Sequence, residues 1–379
     1  MKCDVHNAKT TRETALAQSE NERFMALALA LGRRGLGRTW PNPAVGAVIV
    51  KDGVIISRGW TQDGGRPHAE VEALRRAGEA ANDATLYVTL EPCSHHGKTP
   101  PCADAVIAAG ITRVVSALED PNPEVAGQGH ARLRAAGIAV DIGIGADEAR
   151  RDHAGHILRF TKGRPHVLLK LAISADGKAA AAGRKPVAIT GEAARDRVHL
   201  LRAQSDAIMV GIGTVLADDP MLTCRLPGMA RYSPVRIVAD GMLRLPRNSR
   251  LVQSAHDVPV WALAGSRAPQ QAEFDLLASG VEVLRSRQST DTLDLRDALE
   301  LLAAKGITRL MVEGGPTLAA AFLAADLIDE AILFHSPGIV GAEGLDALDH
   351  QSKAALEMRF QRISSASVGP DREDLYRHE

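Results

Sequence analysis

Between residues 45 and 142 short apolar runs alternate with helix-length segments, several of which close on a glycine. Val45 to Val50 is a compact apolar run, Asp52-Gly53 is a hairpin turn, and Val54 to Ile56 returns. Pro67 to Ala77 reads as a helix with proline near its start, and Leu86 to Leu90 as a buried strand. Pro101 to Ala109 is a helix closed by Gly110, and Arg113 to Ala117 is the next strand. A helix over His130 to Ala136 closes at Gly137, and the strand Ile138 to Ile142 follows. Such alternation buries strands beneath helices, so the expectation is an α/β fold with a largely parallel sheet. Upstream, Ser19-x-x-Glu22 reads as a capping box, and Phe24, Leu27, Ala28 and Leu31 recur at helical spacing up to Gly35.

A charged helix over about 146 to 160 leads into Lys162-Gly163-Arg164-Pro165, which marks a domain boundary. Strands then follow at His166 to Leu171, Ala207 to Val210, Val235 to Ala239, Val258 to Ala262 and Arg309 to Val312, with a helix over Ala193 to Ala203. Gly314-Gly315 leads into a helix over Thr317 to Ala325, Glu330 to Phe334 continues the sheet, and the tail from Met358 reads as strands flanking Gly369-Pro370. Two domains are also what 379 residues predict. The expected division is a flexible leader over 1–20, a first domain over 21–161 and a second over 165–379.

Composition excludes several classes. Forty-five basic residues nearly cancel 46 acidic ones, so no global charge draws the chain to nucleic acid or a membrane surface. Four cysteines, Cys3, Cys93, Cys102 and Cys224, do not make a disulfide scaffold. No run reaches the roughly 18 apolar residues of a membrane span, and the first 20 residues lack the apolar core of a secretory signal. A cytoplasmic location is the expectation.

One constellation carries chemistry. His68-Ala69-Glu70 opens a helix, Glu91-Pro92-Cys93 follows a strand, and Cys102 opens another helix. One histidine and two cysteines suit a zinc ion with an open fourth position. Helix N-termini favour the thiolate form. Glu70, two residues beyond His68, points to the open position as a general base rather than to the metal. His-x-Glu followed by Pro-Cys-x-x-Cys is the zinc-deaminase pattern, here with a longer cysteine spacing. A purely structural zinc, with His95 or His96 as fourth ligand, is the alternative. Glu91 is open to a structural or a functional role. The loop from Glu91 to Cys102 adds polar groups, of which His95 and Lys98 suit a phosphate. Asn42, between two prolines, suits a base edge or an ordinary turn. Asp120 and Asn122 follow the carboxyl end of a strand, where ligands of open α/β sheets bind. In the second half no G-x-G-x-x-G occurs, but Glu313-Gly314-Gly315-Pro316-Thr317-Leu318 orders a strand, a glycine turn and a helix N-terminus. Lys170 within an apolar strand needs a partner.

Pro41 to Val50, Pro67 to Glu70, Thr89 to Cys102 and Asp120 to Pro123 together resemble the bifunctional deaminase–reductases of riboflavin biosynthesis. The similarity runs from about residue 22 into the C-terminal tail and includes the stretched cysteine spacing. It implies a cytidine-deaminase-like domain that converts 2,5-diamino-6-(5-phosphoribosylamino)pyrimidin-4-one to the uracil with release of ammonia. His68, Cys93 and Cys102 would hold one zinc ion and Glu70 would shuttle protons. Asn42, His95, Lys98, Asp120 and Asn122 fall on positions that line the family's substrate pocket. Thr61 stands where the family usually carries histidine.

Leu169 to Ser174, Asp176 to Lys178, Arg202 to Asp206, Thr214 to Pro220 and Glu313 to Leu318 are similar to the family's second domain. That resemblance implies a dihydrofolate-reductase-like fold and NADPH reduction of the ribosyl group to ribityl. Ala172, Thr214, Asp218, Gly315, Pro316, Thr317, Leu318, Ala319, Ala320 and Ala321 would contact the cofactor. Lys170, Arg202, Leu222, Arg225 and Glu313 would contact the substrate, the arginines as phosphate ligands. Pro186 and Ala188 replace the family's serine and tryptophan, and Ala175 a usual leucine. The partners implied are phosphorylated pyrimidines, without nucleic acid or membrane, and a homodimer or homotetramer. Three alternatives stay open: a deaminase with an impaired or altered reductase domain, a nucleoside or tRNA deaminase, and a zinc-stabilised binding module.

Overall fold

In the computed structural model of the chain, residues 3–95, 100–286 and 293–379 are described, with side chains from residue 18 onward. It divides into two units, Met1–Lys162 and Gly163–Glu379. Among the described residues no helix is long and apolar enough to cross a membrane.

Asp52 and Gly53 both take left-handed backbone, with φ of 52° and 73°. They turn strand β1 (Gly46–Lys51) antiparallel onto β2 (Val54–Trp60), as a two-residue turn with two positive φ values does. Strands β3 (Thr85–Val88), β4 (Arg113–Ser116) and β5 (Ala139–Ile142) complete the sheet of this unit, in the order β2-β1-β3-β4-β5. The β3–β4 and β4–β5 pairings are parallel, and β1, which alone runs against the other four strands, is antiparallel to both its neighbours. The largely parallel sheet expected here is therefore half antiparallel, because a tight hairpin admits no other pairing.

The helices are α1 (Cys3–Gly32), α2 (Ala69–Ala77), α3 (Cys102–Ala108), α4 (Gln128–Ala135), α5 (Ala146–Asp152) and α6 (Ala154–Lys162). Ala47, Val48 and Ile49 are fully buried, which places helices on both faces of β1. Two glycines set the closeness of that packing. A Cβ on Gly46 would meet the Ala28 carbonyl of α1 at 1.8 Å, and one on Gly59 the Ala69 carbonyl of α2 at 2.2 Å. Two expectations are corrected. Helix α1 does not start at the Ser19–Glu22 box but runs from Cys3 through the stretch read as a leader. The charged segment after residue 146 is two helices, broken at His153, whose Nε2 lies 3.1 Å from Thr89 Oγ1.

The second unit holds β6 (His166–Ile173), β7 (Lys178–Ala180), β8 (Ala207–Gly211), β9 (Val235–Ala239), β10 (Val260–Ala264) and β11 (Glu282–Arg285). They are followed by β12 (Arg309–Val312), β13 (Glu330–His335), β14 (Leu345–Asp346), β15 (Phe360–Val368) and β16 (Asp371–His378). Among the described residues nine of these strands form one sheet, ordered β11-β10-β9-β8-β12-β6-β13-β16-β15. Pairing is parallel from β11 to β13, and the β15–β16 hairpin closes the edge antiparallel. Strand β11 escaped the sequence reading because all its residues are half-buried at the sheet edge, which erases the apolar contrast. Met358, read as the start of a strand, ends instead a helix over His350–Arg359, whose N-cap Asp349 accepts from Ser352 N.

Candidate active sites

In the first unit β2, β3 and β4 run in one direction and β1 runs against them. The residue stretch before β1 and the stretches after β2, β3 and β4 therefore gather at one sheet edge. Asn42 precedes β1, His68 and Glu70 follow β2, Cys93 and Cys102 follow β3, and Asp120 and Asn122 follow β4. The topology thus brings to one edge residues spread over 81 positions of sequence, from 42 to 122.

His68 is the N-cap of α2 and Cys102 opens α3. The ligand atoms of His68, Cys93 and Cys102 all lie within 4.8 Å of one another. His68 Nδ1 is 3.3 Å from Cys102 Sγ and 3.7 Å from Cys93 Sγ, and the Cys102 backbone N–H donates to Cys93 Sγ at 3.3 Å. Three borderline-to-soft donors converging in this way fit zinc. The Cys93 thiol is drawn down to about 4 by hydrogen bonding from Cys102, against its burial, with help from His68. The Cys102 thiol is pushed up by Cys93 and by burial. Without metal the thiolate form is therefore favoured at Cys93 and disfavoured at Cys102. Glu70 is 3% exposed, and burial raises its carboxyl to about 7, partly offset by His68.

Glu91 has the structural role. Its buried carboxylate accepts backbone N–H groups of Asp120 (3.1 Å), Gly127 (2.9 Å), Gly129 (2.7 Å) and His130 (3.1 Å). It therefore ties the loop before Cys93 to the Asp120 loop and to the start of α4. Asp120 Oδ1 accepts from Asn122 N at 2.8 Å and faces His156 Nε2 at 3.0 Å. Asn42 donates from Nδ2 to the Gly65 carbonyl at 2.9 Å, which leaves Oδ1 for another donor. Thr61 is 1% exposed and binds Val45 N at 3.0 Å, so it pins the start of β1 and offers nothing to a ligand. His95 is exposed, and Lys98 and His96 lie outside the described residues. His156 was missed in the sequence; its three-residue spacing from His153 and Arg159 on one charged helix was the available signal.

In the second unit Lys170 of β6 finds its partner. Its Nζ lies 3.3 Å from Glu313, which follows β12, the strand beside β6. Arg202 donates to the same carboxylate from Nε and Nη2, each at 2.9 Å, and from Nη1 to the Thr223 carbonyl at 3.1 Å. Leu222 is buried with φ of 55°, a left-handed backbone at the turn that leads to Arg225. Arg225 is exposed as a residue, but partial desolvation of its guanidinium and the neighbouring Arg202 charge push it down.

Gly315 is the extended N-cap of a helix over Pro316–Ala324, after β12. A Cβ there would lie 3.6 Å from Thr214 Oγ1, in the helix Ile212–Asp218 after β8. Strands β8 and β12 pair in parallel, so both turns open at their carboxyl ends, a fit for a dinucleotide phosphate at the Gly315 N-terminus. Ala172 is on β6, Thr317 and Ala321 are exposed, Asp218 ends the shorter helix, and Pro316, Leu318 and Ala320 are half-buried. Ala319 is fully buried, so its methyl packs into the core. Pro186, Val187 and Ala188 form an exposed stretch.

Residues 18–118 match the cytidine and deoxycytidylate deaminase zinc-binding region, and residues 165–371 match the RibD C-terminal domain. The chain is 44% identical over 365 residues to the riboflavin biosynthesis protein RibD of Escherichia coli (strain K12), covering 93% of this chain and 98% of that protein. It is 42% identical to the protein of the same name from Aquifex aeolicus (strain VF5), over 91% of this chain and 95% of that one. The solved structure of Acinetobacter baumannii RibD superposes with a TM-score of 0.85 at 38% identity, covering 96% of this chain and 99% of that chain. A Thermotoga maritima structure, described as a diaminohydroxyphosphoribosylaminopyrimidine deaminase/5-amino-6-(5-phosphoribosylamino)uracil reductase, gives 0.83 at 36% identity over 96% and 100%. With a zinc-binding deaminase region ahead of a reductase domain of the NADPH-dependent type, the chain belongs to the RibD family of bifunctional deaminase–reductases in riboflavin biosynthesis.

Proposed function

We propose that the first unit, over 21–161, deaminates 2,5-diamino-6-(5-phosphoribosylamino)pyrimidin-4-one to the uracil, and that the second, over 165–379, reduces the product's ribosyl group to ribityl with NADPH. The observation that carries this reading is the convergence of His68, Cys93 and Cys102 beside buried Glu70. His68 Nδ1 and the two sulfurs would hold the zinc ion. The chemistry zinc supplies is to bring the pKa of water down to about 7. Glu70 takes a proton from the attacking water on its carboxylate and delivers it to the departing amino group, which leaves as ammonia. A carboxyl held near 7 by burial both accepts and donates there. Asn42 Oδ1, Asp120 and Asn122 hold the pyrimidine, and His95 and Lys98 the phosphate.

In the second unit NADPH supplies the reducing equivalent, and the Gly315–Ala321 turn with Ala172, Thr214 and Asp218 holds it. Lys170 and Arg202 place two cations against the one carboxylate of Glu313, and Arg225 adds a third charge within electrostatic reach, a balance that suits a phosphorylated sugar. Leu222 shapes the substrate wall. The substrates are single small phosphorylated molecules rather than nucleic acid. The working form is a cytoplasmic homodimer or homotetramer, which sedimentation of the purified protein checks.

The test is Glu70→Gln, which retains zinc and loses roughly 10²–10⁴-fold in deamination rate. Full activity in that variant sinks the assignment. A second reading, a deaminase whose second unit does not reduce, is favoured by Ala188 and Pro186 lying exposed with no aromatic ring between them. Oxidation of NADPH by the purified protein given the deaminated substrate decides between the two.

A further inference from the structure

The last helix of the first unit reaches the site loops with side chains spaced three apart. His153, at the break before α6, faces Thr89 Oγ1 at 3.1 Å. His156 faces Asp120 Oδ1 at 3.0 Å, and Arg159 donates to the Pro41 carbonyl at 3.3 Å. Spacing by three keeps side chains along one helical face. Each partner belongs to a different stretch of the site edge. Thr89 leads to Cys93, Asp120 heads its own loop, and Pro41 precedes Asn42.

The His156–Asp120 pair is the one of the three contacts that joins two ionisable side chains, and both are buried, 7% and 10% exposed. Asp120 Oδ1 already accepts from Asn122 N, so the histidine completes the two acceptor directions of that oxygen. Oδ2 has no hydrogen-bond partner among the described residues. Because His156 Nε2 faces a carboxylate oxygen, it carries the proton and donates. The ring is steadied by an edge contact with Phe160, centroids 5.0 Å apart.

We propose that His156 is a positioning residue for deamination: it locks Asp120 so that Oδ2 is presented to the pyrimidine. This rests on the reading of Asp120 as a substrate contact. His156 touches no reacting atom; it acts through Asp120 alone.

The test is steady-state deamination by the zinc-loaded full chain. Asp120→Asn tests the underlying reading and raises KM about tenfold. His156→Phe keeps ring shape and removes the donor; it raises KM by a similar factor, about tenfold, with kcat changed by less than about twofold. His156→Gln restores a donor and brings KM back to within about threefold of the unmodified protein. An unchanged KM in Asp120→Asn overturns the reading of Asp120 and the inference with it. A raised KM in Asp120→Asn together with an unchanged KM in His156→Phe overturns the inference alone. So does a fall in kcat and melting temperature with KM unmoved, the signature of a purely structural histidine. Should the Phe variant not fold, His156→Asn shortens the reach of the donor, and an unchanged KM there overturns the proposal equally.

Discussion

Glu313 accepts Nε and Nη2 of Arg202 at 2.9 Å each, while the Lys170 ammonium sits 3.3 Å from the same carboxylate. One anion thus serves two cations, and all three side chains are at most 16% exposed. The arrangement keeps a net positive charge at the carboxyl edge of the second sheet without leaving either cation unpaired before substrate arrives.

Glu313→Gln leaves Lys170 and Arg202 without their countercharge. The second unit is then destabilised by about 3 kcal/mol, as for other buried pairs cut on one side. Burial pushes the Glu313 carboxyl up, but Lys170 and Arg202 outweigh it and hold it at about 2, against an ordinary value of 4.5. The unfolded chain therefore binds more protons between those values. The contribution is full above pH 4.5 and is lost as pH falls toward 2. Denaturant melts across that window show a steeper acid loss in the unmodified protein than in the variant. Equal slopes count against the ion-pair account.

Removing the metal exposes the asymmetry of the two thiols. With Cys93 drawn to about 4 and Cys102 pushed up, chelated protein at pH 7 is alkylated first at half-buried Cys93. Reloading zinc protects both sulfurs and releases about one proton. Peptide mapping after a short iodoacetamide pulse reads the order. Equal labelling of the two cysteines contradicts it.

Glu91→Gln puts an amide nitrogen against backbone donors that a carboxylate oxygen now receives. Two of the four N–H groups lose their acceptor, at about 3 kcal/mol in total. Gly129→Ala strikes the same junction from the other side, because its Cβ would lie 2.0 Å from the Pro92 carbonyl. That overlap costs at least about 2 kcal/mol. Both variants melt earlier and retain less zinc, since each displaces the loop that carries Cys93. A variant that melts early with full zinc content separates the two effects and refutes the coupling.

His166 is 4% exposed at the head of β6. Burial, reinforced by Arg309, holds its ring down to about 4 against an ordinary 6.5. The unfolded chain takes up the proton first, so this group lowers stability as pH falls from 6.5 to 4 and contributes nothing further below. His166→Gln flattens that part of the stability profile. An unchanged profile between those pH values rules out His166 as the source.

The metal donors were legible because residue type and local placement carry the signal: a histidine and two cysteines at strand-to-helix turns, with a glutamate two residues on. The strands of the second unit were legible where both faces are buried, as in Val235–Ala239. Glu91 was not, because its partners are backbone N–H groups up to 39 residues away, and a backbone group has no sequence signature. Lys170 announced the need for a partner, yet its carboxylate lies 143 residues further along. His156 was hidden among the charges of its helix, with Asp120 36 residues before it. Asn42 was a plausible reader of a base edge, and only the fold reveals that its amide nitrogen already serves Gly65.

Helix α6 ends at Lys162, where the chain passes from one unit to the other. What looks like connecting chain is therefore tied into the first unit through His156 and Arg159. Chimeras that exchange first units between relatives inherit this constraint. A crossover placed ahead of residue 153 would pair the loops of one ancestor with the helix of another, and only crossovers after Lys162 carry the loops and their brace across as one heritable piece.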